Sequence, residues 1–499
     1  MARKAFEPLA KLTSVSSLNV TLAWNFKKSD LSAVVKNLNE VAVEHLTLDL
    51  NDKKSWKRPK FMFPFGNKYQ PLQDLYKNPH LQTFHLVGAS RFGIRTSPRP
   101  DLSSTSLKCL HLRIRLDGKR DQAAAENIIK NCPNLVDLRL GGIYKSEMHP
   151  TLKSTIEQLK HLEVLHFYGM QKNEFGGPIL NLLGKVSLSG NKIKELVLVN
   201  SHMDAVETQT LITNCERTLT TIVLDHATFQ PPNLKFLNTI PSNKPLLQNL
   251  TCLHLHVYEN AENLQLLSHV LGQLSLTHLG LTQDDPKAVQ DLLGKSLLQN
   301  VKLGSLHSLF LSGFSGPSLD PLWEAVGTIT DGDSYQAVGN ASLKYLSLEY
   351  PSRCPDLSSQ LRRIQLESLW IVADVKELGC ELAQLATSLD YSSLKKVAIF
   401  RSGDQQGPSL KSYFGQLEGH LRSEARAASN MTIRVGDFKK GSNGLSGLEM
   451  LSYVVDSRMI TPGPKESTCK KHNPRYHRYR WGMTGWSDGS GPSGGAQLV

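Results

Sequence analysis

Apolar residues recur along this chain in one fixed phrase, apolar-x-x-apolar-x-apolar, repeated about thirteen times. Leu135/Leu138/Leu140 is one copy, and Val43/Leu46/Leu48 is a good early one. Others fall at Leu81/Phe84/Leu86, Leu107/Leu110/Leu112, Leu162/Leu165/Phe167, Ile193/Leu196/Leu198, Leu219/Ile222/Leu224 and Leu250/Leu253/Leu255. Leu276/Leu279/Leu281, Leu306/Leu309/Leu311, Leu343/Leu346/Leu348, Leu366/Leu369/Ile371 and Leu394/Val397/Ile399 continue the series, and Val15/Leu18/Val20 reads as its first member. Side chains alternate sides along a strand. The phrase therefore predicts a short strand whose second and third apolar positions enter a core, while the residue between them faces the other way.

From Leu81 onward most phrases start 26 to 31 residues apart. That spacing holds one strand and one helix per unit and is the signature of a leucine-rich-repeat solenoid. The expected class is α/β, a horseshoe with parallel strands on the concave face and helices on the convex face. Helices are predicted over Asp121–Asn131, Asp204–Arg217, Ala261–Gln273 and Lys376–Leu389 from apolar residues at three-to-four spacing or an Ala-rich body, and Pro286 suits a first helical turn. Two units are long. One, near 50–80, contains Lys53–Phe65. The other, near 312–342, contains the Gly-, Pro-, Asp- and Ser-rich run Gly313–Asn340, which reads as a loop. Met431–Val435 predicts a last strand, and Leu445–Val455 a terminal helix covering the core end. The solenoid is expected over 1–456. The stretch 457–499, basic and aromatic and then Gly/Ser-rich at Ser487–Ala496, is expected to be disordered.

A chain of 499 residues exceeds one ordinary core, but a solenoid grows lengthwise because each repeat contacts only its neighbours. No window approaches eighteen consecutive apolar residues, and no apolar stretch follows the basic N-terminal residues, so neither a membrane span nor a secretory signal is expected. The seven cysteines are scattered, without a C-x-x-C pair, which points to a reducing compartment, cytoplasm or nucleus. The net charge of +12 is polarised. Residues 53–120 hold fifteen Lys/Arg against three Asp/Glu, and residues 465–481 six against one. No Walker, zincin, nucleophile-elbow or dinucleotide-binding motif occurs, so no enzyme activity and no cofactor is expected.

The residues between the second and third apolar positions read, in order, Thr47, His85, His111, Arg139, His166, Val197, Val223, His254, Gly280, Phe310, Ser347, Trp370 and Ala398. On a concave, solvent-facing side they define two zones. The early zone is rich in histidine and arginine: His85, His111, Arg113, Arg139, His166 and Tyr168. The late zone is aromatic: Phe310, Tyr345, Trp370 and Phe400. Aromatics on a wet face suggest anchors for a partner, since Trp, Tyr and Arg carry interface energy; the alternative is that the tail or the 313–340 loop folds over them. The histidines titrate near neutrality and make the face a candidate pH-sensitive surface. His254, His256 and His278 lie on neighbouring strands, but no carboxylate or cysteine completes a metal set at the same positions, and no metal is expected. In the tail, Lys470, Lys471, Arg475, Tyr476, Arg478, Arg480 and Trp481 interleave cations with aromatics. That mix suits an acidic partner, nuclear import or single-stranded nucleic acid.

The phrase, the helix-sized spacers and the turn Cys132-Pro-Asn-Leu-Val-Asp-Leu resemble the ribonuclease-inhibitor-like leucine-rich repeats. More narrowly, they resemble the repeat regions of fungal F-box proteins, over roughly residues 12–456. That resemblance implies substrate capture by the repeats and docking of an N-terminal F-box on a ubiquitin ligase. Strand-like phrases begin by Val15, so no helical F-box is expected ahead of them. The leading expectation is an intracellular protein-binding scaffold, steered to an acidic partner by Lys53–Lys60, Arg113 and Arg139 and of the type of an SCF ubiquitin-ligase substrate receptor. The alternative is a nucleic-acid-associated protein using 53–120 and the tail. A GTPase-activating role through Arg113 or Arg139, as in related repeat proteins, has no local motif behind it.

Overall fold

The computed structural model describes residues 14–22, 28–50, 75, 78–87, 106–113, 116, 119–143, 150–169, 193–199, 215, 217–225, 247–256, 261–282, 295–326, 343–349, 351–362, 364–373, 389, 393–402, 432–438 and 497–498. The chain divides into two compact units, Met1–Asn233 with Gly491–Val499, and Leu234–Ser490.

The first unit contains β1 (Ser14–Leu22), β2 (Ala42–Leu50), β3 (Thr83–Val87), β4 (Cys109–Arg113), β5 (Asp137–Ile143), β6 (Val164–Gly169), β7 (Glu195–Val199) and β8 (Thr221–Asp225). Each pairs in parallel with the next in chain order. The second unit repeats the plan with β9 (Cys252–His256), β10 (His278–Thr282), β11 (Ser308–Ser312), β12 (Tyr345–Glu349), β13 (Ser368–Ala373), β14 (Lys396–Ser402) and β15 (Thr432–Phe438). Such open, purely parallel arrays, one strand per phrase, fit a leucine-rich-repeat-type solenoid.

Register follows the phrase. Leu46, Phe84, Leu110, Leu138, Leu165, Leu196 and Ile222 stand opposite one another across the first unit, as do Leu253, Leu279, Leu309, Leu346, Leu369 and Val397 across the second. All of these are buried. A slip of one residue would turn every one of them to the opposite face, so burial of one face sets the pairing. The first phrase position is buried too, in every repeat from Val43 to Leu394. Val15, Leu18 and Val20 are buried on β1, so the series does begin there.

Among the described residues, helices occupy several of the spacers. α1 (Lys28–Asn39) buries Leu31, Val34, Val35 and Leu38, one stripe at helical spacing. α2 (Lys119–Lys130) buries Ala125, Ile128 and Ile129, and α3 (Pro150–Glu157) buries Leu152 and Ile156. α4 (Ala261–Gln273) has the predicted bounds and buries Leu267, Val270 and Leu271. α6 (Leu357–Leu361) is a single turn. The predicted helices over 204–217 and 376–389 fall almost wholly outside the described residues, and Pro286 and the 445–455 helix fall entirely outside them. Among the described residues no helix is long and apolar enough to cross a membrane.

One expectation needs correcting. Part of the run read as a loop, Gly313–Asn340, is helix α5 (Gly316–Val326), with Pro321 in its interior. Buried Phe314, Leu319, Pro321 and Leu322 hold it in place despite the Gly/Pro/Ser composition. Its first residue packs so closely on the next repeat that a Cβ on Gly316 would lie 2.1 Å from the Arg353 carbonyl oxygen.

Hydroxyls stitch repeats together just before the phrase. Thr218 Oγ1 donates to the Ile193 carbonyl at 2.7 Å, Ser305 Oγ to Leu276 at 2.9 Å and Ser393 Oγ to Leu366 at 2.9 Å. In each case the acceptor is the first phrase residue of the preceding repeat. Asn78 does a similar job, donating to the Leu38 and Val41 carbonyls at 2.9 and 2.8 Å. The expected disorder of 457–499 lies outside the described residues, except at Gln497–Leu498 (β16), which runs parallel to β1 beside Asn19 and Val20.

Candidate interaction face

Every strand has a second face, opposite the phrase residues, called the front face below. Because adjacent strands lie about 4.8 Å apart and the register holds from the strand entries through their centres, shifting on the β5–β6 pair after Gly141, front-face side chains line up in rows across each unit. One row is the predicted one: Thr47, His85, His111, Arg139, His166, Val197, Val223 in the first unit, and His254, Gly280, Phe310, Ser347, Trp370, Ala398 in the second. A second row lies two residues earlier, at the strand entry: His45, Thr83, Cys109, Asp137, Val164, Glu195 and Thr221, then Cys252, His278, Ser308, Tyr345, Ser368 and Lys396.

The predicted row is not wet. His85, His111 and His166 are 5 %, 4 % and 3 % exposed, and Phe310 and Trp370 are 4 % and 7 %. This corrects the expectation that these side chains open to solvent. Some of these side chains pack on one another: His85 on His111, His254 on Phe310 across Gly280, and Trp370 on Ala398.

In the first unit the closure is polar. The His85 and His111 rings stack with centroids 4.0 Å apart and planes 8° from parallel. His111 Nε2 lies 3.2 Å from Asp137 Oδ2. Arg139 grips the same carboxylate through two nitrogens, Nε to Oδ1 and Nη2 to Oδ2, both at 2.9 Å. On the far side His166 Nε2 meets Glu195 Oε1 at 2.6 Å. The result is one ladder over β3 to β7: two histidines, a carboxylate, a guanidinium, a histidine and a carboxylate.

Ionisation follows from burial and neighbours. Burial, then His111 and Arg139, push the His85 pKa well below its ordinary value. Burial lowers His111 to about 4, against the pull of Asp137. Burial and Arg139 also lower His166, although Glu195 resists. Burial would raise Asp137, but the attraction of His111 and Arg139 and their hydrogen bonds outweigh it and hold the carboxyl below its usual range. Glu195 behaves likewise: burial raises it, and His166 and Arg139 bring it down. At neutral pH the carboxylates are charged and the histidines neutral, with the Nε2 proton of His166 donated to Glu195.

In the second unit the closure is aromatic. Gly280 leaves a gap on β10, and the His254 ring fills it: a Cβ on Gly280 would stand 2.2 Å from His254 Nδ1. This lets His254 on β9 reach past β10 and stack on Phe310 of β11, with centroids 5.2 Å apart. His254 Nε2 also meets Thr282 Oγ1 at 3.2 Å. Trp370 packs with Val372 and Ala398 in a small apolar cluster on the same face.

Along the strand-entry row the face opens in part. His45 is exposed and Thr83, Cys109, Glu195, His278, Tyr345 and Lys396 are half-buried, while Asp137, Thr221, Cys252, Ser308 and Ser368 are buried. Burial and His307 lower the His278 pKa to about 4. One residue earlier runs a rim containing Lys108, Glu163, Lys194, His307, Lys344, Glu367 and Lys395, its backbone linked by N–H to carbonyl bonds from repeat to repeat. Glu163 pairs with Lys194 at 2.9 Å, and Glu367 sits between Lys344 and Lys395 at 3.1 and 2.7 Å.

Of the predicted site residues, the structure thus brings together His85, His111, Arg139 and His166, and packs Phe310 and Trp370 without joining them to Tyr345 in one cluster. Arg113, Tyr168 and Phe400 lie on β4, β6 and β14, with side chains outside the described residues. Lys53–Phe65 and the tail residues Lys470, Lys471, Arg475, Tyr476, Arg478, Arg480 and Trp481 lie outside them entirely. Sequence reasoning missed Asp137 and Glu195. The signal was available, since strand alternation puts the residue two before Arg139 and the one two before Val197 on the same face. No protein-family model matches the chain, and no curated protein matches it either.

Proposed function

We propose that this chain is a protein-binding scaffold of the ribonuclease-inhibitor-like leucine-rich-repeat kind, holding its partner along the strand-entry side of the sheet rather than on the centre of the front face. One observation carries the reading. In each unit several strand-entry side chains are reachable on in-register backbone, His45, Thr83, Cys109, Val164 and Glu195 in the first and His278, Tyr345 and Lys396 in the second, while most large side chains at the centre of the face are buried. Tyr345 is the best-placed anchor: an aromatic that is half-buried and still accessible, next in sequence to exposed Lys344 and in the same row as Lys396 two strands on, cations that suit an acidic partner. The role is one of binding, not catalysis. The five described cysteines are free, which supports action in a reducing compartment, cytoplasm or nucleus. The narrower reading, substrate receptor of an SCF-type ubiquitin ligase, rests on the repeat resemblance alone.

The test is affinity capture from the native organism with the full chain and with Tyr345→Ala plus Lys396→Glu. The substituted chain should lose specific protein partners. An unchanged partner set would reject the assignment. Recovery of nucleic acid whose binding falls steeply with salt would replace it with the nucleic-acid reading. Ligase scaffold subunits in the captured set would support the narrower reading.

A further inference from the structure

A strand at the margin of a sheet is usually short, charged, kinked or covered, because its outer N–H and C=O groups would otherwise template another chain. β1 is long and bare. Its nine residues, Ser-Val-Ser-Ser-Leu-Asn-Val-Thr-Leu, include no charge and no proline. Its pairing with β2 keeps one offset from Ser14 to Leu22, so no bulge turns it aside. Val15, Leu18 and Val20 enter the core, while Ser14, Ser16 and Ser17 are exposed and Asn19 is half-buried. β15, the last strand of the second unit, is by contrast charged, with Arg434 and Asp437 in its sequence. In the sheet β1 lies between β2 and β16. On its outer side Asn19 stands opposite Gln497 and Val20 opposite Leu498, in parallel. The six residues leading into β16, Gly491-Pro-Ser-Gly-Gly-Ala496, carry no charge either. A two-residue pairing makes few hydrogen bonds. It holds because β16 is on the same chain, which keeps its effective concentration high.

We propose that β16 is a capping strand: Gln497 and Leu498 pair with β1 within one chain and thereby withhold its edge from a second copy of this chain. The second copy is the occupant this edge fits best, because it carries the same edge. Antiparallel pairing of β1 with its equivalent about a twofold axis at Leu18 would set Ser17 opposite Asn19 and Ser16 opposite Val20. With no charge on the strand, no like charges meet in that pairing or in any shifted register of it. β16 lies on the middle of this edge, at Asn19 and Val20, where it interrupts the longest ladder two copies could form.

Two measurements on the full chain test this. Asn19→Cys with Gln497→Cys puts two sulfurs on facing strands at a spacing a disulfide spans. Mild oxidation and peptide mapping should join the two positions within a monomeric chain, at least about tenfold more often than for Ser14→Cys with Gln497→Cys, where the first sulfur sits five residues further back. Gln497→Pro with Leu498→Pro removes the amide donors of β16. Sedimentation velocity should then show self-association at least about tenfold tighter than that of the native chain. Adding Asn19→Lys to the proline variant, which puts a charge on the bared edge, should return association to the native level. A link between positions 19 and 497 no more frequent than that between 14 and 497, or one formed between two chains, would overturn the cis pairing. Association unchanged in the proline variant, or left in place by Asn19→Lys, would overturn the guarding role.

Discussion

Replacing Asp137 with alanine separates a structural ladder from a decorative one. Its side chain is 9 % exposed, and the carboxylate accepts two Arg139 bonds at 2.9 Å, with His111 Nε2 at 3.2 Å. The Arg139 side chain is 12 % exposed. Removing the acid leaves a nearly buried guanidinium without its bidentate partner, a loss that typically costs about 3–5 kcal/mol. Glu195, close enough to feel Arg139, retains some attraction, so the lower end, about 3 kcal/mol, is expected. Glu163 provides the contrast. Its pair with Lys194 is also 2.9 Å long, but the side chains are 34 % and 51 % exposed, so Glu163→Ala should cost under about 1 kcal/mol. Asp137→Ala with Arg139→Met removes both charges and should recover most of the loss. The assay is hydrogen exchange of peptides spanning β5 and β6, because a solenoid need not unfold in one step. Two results would refute the reasoning: a cost for Asp137→Ala no larger than for Glu163→Ala, or a double variant as unstable as the single one.

Other consequences can be checked separately. Gly280→Ala drives a Cβ into the His254 ring and should break its stack on Phe310 at a cost of about 1–3 kcal/mol, seen as faster exchange over β9 to β11; in a His254→Ala background the same substitution should cost little. Ser305→Ala removes the hydroxyl bonds to Leu276 and Lys302 and should cost about 1 kcal/mol in denaturant unfolding, and no measurable change would mean that the stitch carries no net stability. Burial raises the Cys132 thiol to about 12 and Cys215 to about 11, so iodoacetamide at pH 7.4 should label half-buried Cys109 ahead of both, and equal rates would contradict the burial assignment.

The repeat pattern was legible because it is local. Val15, Leu18 and Val20 identify β1 from their own spacing, and Ala261–Gln273 is bounded as its apolar stripe suggests. Met431–Val435 marks the last strand but stops short of Phe438, where the phrase has already ended. α5 was hidden because Gly316, Pro317 and Pro321 read as a loop, while its stability comes from Phe314, Leu319 and Leu322 meeting the core. The front face was legible in direction but not in exposure. His111 stacks on His85, and Gly280, a repeat away, leaves room for His254. Such closure depends on register between repeats, which no single phrase contains. The strand-entry row, with Asp137, Glu195 and Tyr345, carries the same alternation two residues earlier.

The front face is packed at its centre and reachable at several entry positions. Carbethoxylation of the native full chain at pH 7, mapped by mass spectrometry, reads this at histidines already present. His45, His80, His161, His269 and His307 are exposed and should react quickly, whereas His85, His111, His166 and His254 should react only when the chain unfolds. Modification of the second group at the pace of the first would contradict the packed ladder and return the front face to open solvent.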